Sequence, residues 1–230
     1  MMQILDAIIV AAGSSRRMGF DKMTADLAGR PVIARTVDAF ERCAGVRHIH
    51  VVASEENHTR FAALLHGFSK LRPLVIGGAH RHLSVWNGLN ALDPTAEFVA
   101  VHDGARPLVT TGMVEQSYQK AREMGAACVA SPVTDTLKRA DAAHHLAGSV
   151  EREGLWAMET PQTFSVPLLR RAYENVMAKN LVVTDETSAV ELLGLPVALV
   201  AAEDWNFKIT YPRDLALAAF ALGSRRQGVA

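Results

Sequence analysis

Short runs rich in Ile and Val recur along this chain without polar alternation, and each is followed by a stretch of helical periodicity. A strand that is apolar at successive residues must be covered on both faces, and crossover helices packed above and below a parallel sheet provide that cover. The runs fall near residues 4–10, 47–53, 72–76, 97–101, 126–131 and 196–201, with helical segments near 31–43, 55–66, 81–92 and 111–124. The fold class expected is therefore α/β, a doubly wound and mostly parallel sheet.

One interval breaks the rhythm. From Pro132 to about Gly154 the chain reads PVTDTLKRADAAHHLAGSVEREG, polar in character, with two strand-like pieces, DTLKRA and LAGSVER, around a loop of small residues. This pattern predicts a β-hairpin arm projecting from one domain that spans residues 1–230. An arm unable to bury itself needs another surface, so a homodimer through residues 132–154 is expected. A surface hairpin without a partner is the alternative.

Composition narrows the function. Lys plus Arg number 24, and so do Asp plus Glu. No global field then draws the chain to nucleic acid or an anionic membrane, and any anion site must be local. The apolar runs, such as LALAAFAL at 215–222, are too short to span a bilayer. The start MMQILDAIIV lacks a basic stretch and carries Asp6 inside its apolar run, which argues against a secretory signal. Cys43 and Cys128 lie far apart in apolar settings, so no disulfide framework is expected and the cytoplasm is the expected compartment. His80, His82, His144 and His145 lack zinc-site spacing. Trp86, Trp156 and Trp205 read as core or ligand-wall packing, since a nucleic-acid platform would also need a basic stripe.

Directly after the first run comes AAGSSRRMGFDK, residues 11–22. In an open α/β sheet, ligands bind outside the carboxyl ends of the strands, which is where this loop falls. It matches neither G-x-x-x-x-G-K-[ST] nor G-x-G-x-x-G, so P-loop hydrolysis and dinucleotide binding lose support. Its small residues still let backbone N–H groups approach a ligand, and Arg16, Arg17 and Lys22 can form charge-assisted bonds to a polyphosphate. An arginine pair in a loop is often merely solvated. The concentration of cations and glycines at a buried strand's mouth favours a phosphate cradle.

The loop resembles the signature of the nucleotidylyltransferases that activate sugars and polyols. VHDGARPLV at 101–109 is similar to an HDAARP element, SPVTDTLKRA at 131–140 to VPV-x-DT-x-K, and VEREGLWAMETPQTF at 150–164 to R-x-x-L-W-x-x-x-TPQ-x-F. TDETSAVELLG at 184–194 and NFKITYPRDLALA at 206–218 are similar to two further signatures. Together these stretches resemble the 2-C-methyl-D-erythritol 4-phosphate cytidylyltransferase family over residues 7–218, with ribitol 5-phosphate cytidylyltransferases as the nearest confusable relatives.

That resemblance implies a Rossmann-like nucleotidyltransferase fold and cytidylyl transfer from CTP to a polyol phosphate, with Mg2+ as cofactor on Asp103. It implies Arg17, Lys22 and Lys208 as catalytic cations, with Ala11, Ala12, Gly13, Gly77, Gly78 and Ser84 around the cytidine. It further implies Arg106, Thr136, Arg152, Thr160 and Thr184 around the second substrate's phosphate, Thr136 and Arg152 being delivered by the arm across a dimer. The chain departs from the family pattern at Gly104 (usually Ala), at Ala79 (commonly acidic, with His80 beside it) and at Asp21-Lys22-Met23 (typically Pro-Lys-Gln). The same chemistry on ribitol 5-phosphate is one alternative. A catalytically silent nucleotide-binding regulator is another, against which the retention of Arg17, Lys22, Asp103 and Lys208 counts.

Overall fold

The first apolar run becomes the centre of a sheet. In a computed structural model that describes residues 5–13 and 18–227, the elements begin with β1 (Leu5–Ala11), β2 (Asp26–Leu27), β3 (Arg30–Pro31), α1 (Val32–Arg42) and β4 (Val46–Ala53). There follow α2 (Glu55–Leu64), β5 (Val75–Ile76), α3 (Arg81–Asn90), β6 (Phe98–Asp103), α4 (Thr111–Met124) and β7 (Ala126–Pro132). The chain continues through β8 (Leu137–Ala140), β9 (Leu146–Val150), β10 (Trp156–Ser165), α5 (Val166–Ala178), α6 (Glu186–Glu191), β11 (Ala198–Ala201) and α7 (Pro212–Gln227).

Seven strands pair in the order β11-β7-β10-β6-β1-β4-β5. Neighbours run parallel except at β10, which is antiparallel to both β6 and β7. Every residue of β1 is buried. Its alternate side chains feed opposite cores: Leu5, Ala7, Ile9 and Ala11 pack with α1 and α4 residues such as Phe40 and Val114, while Ile8 and Val10 pack with Val85, Leu169 and Tyr173 of α3 and α5. Helices on both faces are what a strand without polar alternation demands. β1 and β6 end side by side, with Val10 opposite Asp103, so the loop after β1 opens next to that carboxylate.

The expected strands at 72–76 and 196–201 shrink to Val75–Ile76 and Ala198–Ala201. Pro73 and Pro196 stand at the trimmed ends, where a residue without N–H cannot extend a ladder. β10 and the helices α5, α6 and α7 lie outside the elements expected from periodicity. β10 reads WAMETPQTFS, with a proline and polar residues where a central strand is normally apolar. Its register against β7 shifts between Met158 and Gln162, around Pro161. In α5, Val166, Leu169, Ala172, Tyr173 and Val176 form one buried face and proline occupies the first turn, where its missing N–H costs nothing.

Between β7 and β10 the chain leaves the sheet as the hairpin β8–β9, an antiparallel pair with Leu137 opposite Val150. Its residues are mostly exposed, Leu146 by 79%. The arm expected at 132–154 is therefore present as a hairpin. Among the described residues no helix is long and apolar enough to cross a membrane.

Candidate active site

A cavity of about 550 Å3 opens at the carboxyl edge of β1 and β6. Ala12, Gly13 and Lys22 line it from the first loop, His80, Arg81 and Ser84 from the start of α3, and Asp103 from the end of β6. Lys208 and Thr210 close it from the irregular segment between β11 and α7. That segment is tied across the edge by Ile209 N–H donating to the Ala105 carbonyl at 2.8 Å. Lys22, itself 9% exposed, donates from Nζ to the Ile209 carbonyl at 2.9 Å. The first loop and the 202–211 segment are thereby joined through one of the site's cations.

Asp103 sits at the electrostatic centre. Lys208 Nζ lies 2.9 Å from its Oδ2, Arg81 Nε 3.3 Å from its Oδ1, and Arg106 Nε 3.6 Å from Oδ2. Burial alone would raise the pKa of this carboxyl, but Arg81, Lys208 and Arg106 together outweigh it and hold the group well below the usual carboxylate range. The sequence reading did not assign Arg81 a role. Arg81 bridges Asp103 to Glu186, which is fully buried, through bonds of 2.6 and 3.0 Å. Tyr173 Oη also donates to Glu186, at 3.0 Å. The frame GGAHRHLSV held the signal for Arg81, but its partner lies 105 residues away, beyond any spacing argument.

Glycine is required where the loops after β1 and β5 meet. A Cβ on Gly77 would lie 2.5 Å from Ala12 Cβ and 2.9 Å from Ser84 Oγ, and one on Gly78 would collide with Leu83. Ser84 Oγ accepts from Gly78 N–H at 3.1 Å, fixing this wall against α3. Ala11 is buried at the end of β1, beneath the wall. His80 lines the cavity beside Ala79, its ring stacked on His82 at 5.6 Å.

The residues assigned to the second phosphate are dispersed. Arg106 is turned inward: Nη1 donates to the Asn206 carbonyl at 2.8 Å and Nη2 to that of Met158 at 3.3 Å. Thr160 is 3% exposed and does not line the cavity. Thr184 is exposed, its carbonyl 3.5 Å from Arg81 Nη1. Thr136 and Arg152 are exposed on the arm, where the Arg152 guanidinium donates to the Thr134 carbonyl, and neither lines the cavity of its own chain. Arg17 lies outside the described residues. Trp205, expected in a core or ligand wall, is 48% exposed, its ring tilted against those of Phe207 and Phe220 just past the sheet's outer strand.

Among the described residues no group of His, Cys, Asp and Glu is arranged to hold a metal by itself. Asp103 nonetheless faces the cavity, and a carboxylate has lone pairs beyond those that its cationic neighbours take. The donor set suits an ion like Mg2+, which binds through one or two carboxylates and completes its octahedron with phosphates and water.

A basic cavity built around one carboxylate, at the carboxyl edge of a mostly parallel sheet with small-residue loops, defines the nucleotidyltransferase class of α/β enzyme. The chain belongs to the 2-C-methyl-D-erythritol 4-phosphate cytidylyltransferase family, whose model matches residues 5–224. A relative of that name from Synechococcus sp. (strain WH7803) is 41% identical over 95% of this chain and 99% of its own length. Another of that name, from Desulforamulus reducens, is 38% identical over 95% and 96%. The crystal structure of 4-diphosphocytidyl-2C-methyl-D-erythritol synthase from Anaerococcus prevotii superposes with a TM-score of 0.85 at 30% identity, covering 96% of each chain.

Proposed function

We propose that this chain transfers the cytidylyl group of CTP to 2-C-methyl-D-erythritol 4-phosphate, giving CDP-methylerythritol and pyrophosphate in non-mevalonate isoprenoid precursor synthesis. An oxygen of the polyol's phosphomonoester attacks the α-phosphorus, a new P–O bond forms, and the bond to the β-phosphate oxygen breaks as pyrophosphate leaves. Both reactants are anions, so the protein's task is to position them and stabilise the charge that moves. The observation that carries this reading is the convergence of Lys22, Arg81 and Lys208 on a cavity in which Asp103 is the only acidic residue among the described lining residues.

In this reading the lysines meet the α-phosphate as charge builds on its oxygens, and Arg17 joins them from the first loop. The walls built from Ala12, Gly13, Gly77, Gly78 and Ser84 take the cytidine. Asp103 would hold Mg2+, which when bound would supply positive charge to offset that of the triphosphate. Arg106, Thr184, and Thr136 and Arg152 of a second copy receive the polyol phosphate. The enzyme then works as a homodimer through the arm, in the cytoplasm.

Pyrophosphate release tests the proposal, assayed with Mg2+ over the four nucleoside triphosphates and a panel of polyol phosphates. Release is expected with CTP and methylerythritol phosphate. Equal or better turnover of ribitol 5-phosphate overturns the substrate assignment, and no release with any pair overturns the activity.

A further inference from the structure

The turn that carries Asp103 and Arg106 is closed by a ring of hydrogen bonds through two buried side chains. Asp103 N–H donates to Thr160 Oγ1 at 3.1 Å, Thr160 Oγ1 lies 2.9 Å from His102 Nδ1, and His102 Nε2 lies 3.1 Å from the Arg106 carbonyl. On the other side, Asn206 Nδ2 donates to the Thr160 carbonyl at 2.7 Å, and the Asn206 carbonyl accepts from Arg106 Nη1 at 2.8 Å. Arg106 is thus gripped at both ends, by its carbonyl through His102 and by its guanidinium through Asn206.

The donor directions follow from the partners. A carbonyl only accepts, so His102 Nε2 carries a proton; the ring is fully buried and its nitrogens meet a carbonyl and a hydroxyl rather than a carboxylate, which favours the neutral tautomer, whose Nδ1 is an acceptor. The Thr160 hydroxyl then gives its one proton to Nδ1 and takes the Asp103 N–H into a lone pair. An incoming phosphate dianion accepts hydrogen bonds and has none to give. It could engage Thr160 only by breaking the bond to His102. His102 is fully buried, Thr160 is 3% exposed, and neither lines the cavity.

We infer that His102 and Thr160 are a positioning pair for cytidylyl transfer: they touch no substrate, and they hold the Asp103 carboxylate and the Arg106 guanidinium in register between β6, β10 and the 206–209 segment. The inference rests on the transfer reading above and moves Thr160 from the substrate's contacts to the site's frame. It gives His102, which that reading leaves without a role, a definite one. A hydroxyl at position 160 and an acceptor at the δ position of residue 102 are the requirement, which a serine meets and a valine does not.

The test uses full-length Thr160→Ser, Thr160→Val and His102→Gln proteins and the Thr160→Val/His102→Gln double variant. The glutamine amide reaches the ε position and can still donate to the Arg106 carbonyl, but it offers Thr160 no acceptor. Thr160→Val and His102→Gln are each expected to lower kcat by about tenfold or more, with both KM values within about threefold of wild type. The double variant should be no slower than the worse single one, because both lesions open the same ring. Thr160→Ser should keep near-wild-type kcat. Amide exchange at Asp103, measured without turnover, should accelerate in Thr160→Val and stay slow in Thr160→Ser. A raised KM for the polyol phosphate in Thr160→Val alone would make Thr160 a substrate contact and sink the inference. So would a double variant whose loss is the product of the single losses, or unchanged Asp103 exchange in Thr160→Val. Wild-type protein that releases no pyrophosphate would instead sink the transfer reading, and the exchange measurement would still decide whether the pair holds Asp103.

Discussion

Lys22 and Glu186 show how differently two buried charges serve one site. Lys22 lines the cavity, and in the proposed transfer its ammonium, already in place, would meet the charge growing on an α-phosphate. Replacing it with Ala should lower kcat on the order of 10² to 10³-fold, the cost of losing one such stabilising group, while the KM for CTP changes far less. Steady-state kinetics decide this, and an unchanged kcat removes Lys22 from the chemistry. Glu186 does not line the cavity; it is the counter-charge that lets Arg81 be partly buried beside Asp103. Glu186→Ala leaves that guanidinium half-paired and should destabilise the fold by about 3 to 5 kcal/mol, read as a shift in the urea midpoint. A loss below about 1 kcal/mol would show that water reaches Arg81 and that the pair is not a buried one. Lys22, Asp103 and Lys208 were legible because each sits in a local motif. Arg81 was visible in its motif but its use was not, since Glu186 approaches from a different part of the chain.

At the scale of the element, β4 carries a charge cluster at the amino edge of the sheet, away from the cavity. Arg47 forms a bidentate pair with the fully buried Asp6, both bonds 3.0 Å, and His48 and His50 face the same carboxylate at 3.7 and 4.0 Å. Because Arg47 already balances Asp6, nothing compels His50 to be charged, and its burial pushes the imidazole pKa down to about 4. The neighbouring charges are Asp6, which raises it, and His48, Arg72 and Arg47, which lower it further. Burial likewise takes His102 down to about 4. An unfolded chain takes up protons at such residues from about pH 6.5 and the folded one does not, so the unfolded state binds more protons across that window. Stability is therefore fully present above it and falls as pH drops from about 6.5 towards 4, by up to about 1.4 kcal/mol per pH unit for each imidazole. Urea unfolding at pH 7, 6 and 5 should show this slope, and His50→Leu should flatten it; equal slopes in the two proteins refute the assignment. β4 itself was legible as an apolar run, whereas β10 was not. Pro161 and the polar residues around it hide a strand whose burial comes from its neighbours β6 and β7 rather than from its own composition.

For the whole molecule the open question is what the arm is for. The hairpin's polarity marked it in the sequence. Its use was not legible there, because only a second surface gives an exposed hairpin a purpose. Within one chain the cavity holds the cations that would meet CTP, while Thr136 and Arg152 stand on β8–β9 or its flanks without lining that cavity. If the arm of one copy completes the site of another, each site draws Lys22 from one chain and Arg152 from its partner. Arg152→Ala should then raise the KM for the polyol phosphate and leave CTP binding nearly intact, because a charge-assisted bond to the incoming phosphate, worth about 1.5 to 3 kcal/mol, is lost. Mixing Arg152→Ala protein with Lys22→Ala protein separates the shared site from an unshared one. In a mixed dimer one site carries both lesions and the other carries neither. Random pairing makes about half the dimers mixed, so activity should recover towards about a quarter of wild type from near-inactive parents. Subunit exchange is verified separately, by mass spectrometry of differently tagged chains. If the subunits exchange and activity stays at the level of the parents, Arg152 serves its own chain and the arm does not complete a neighbouring site.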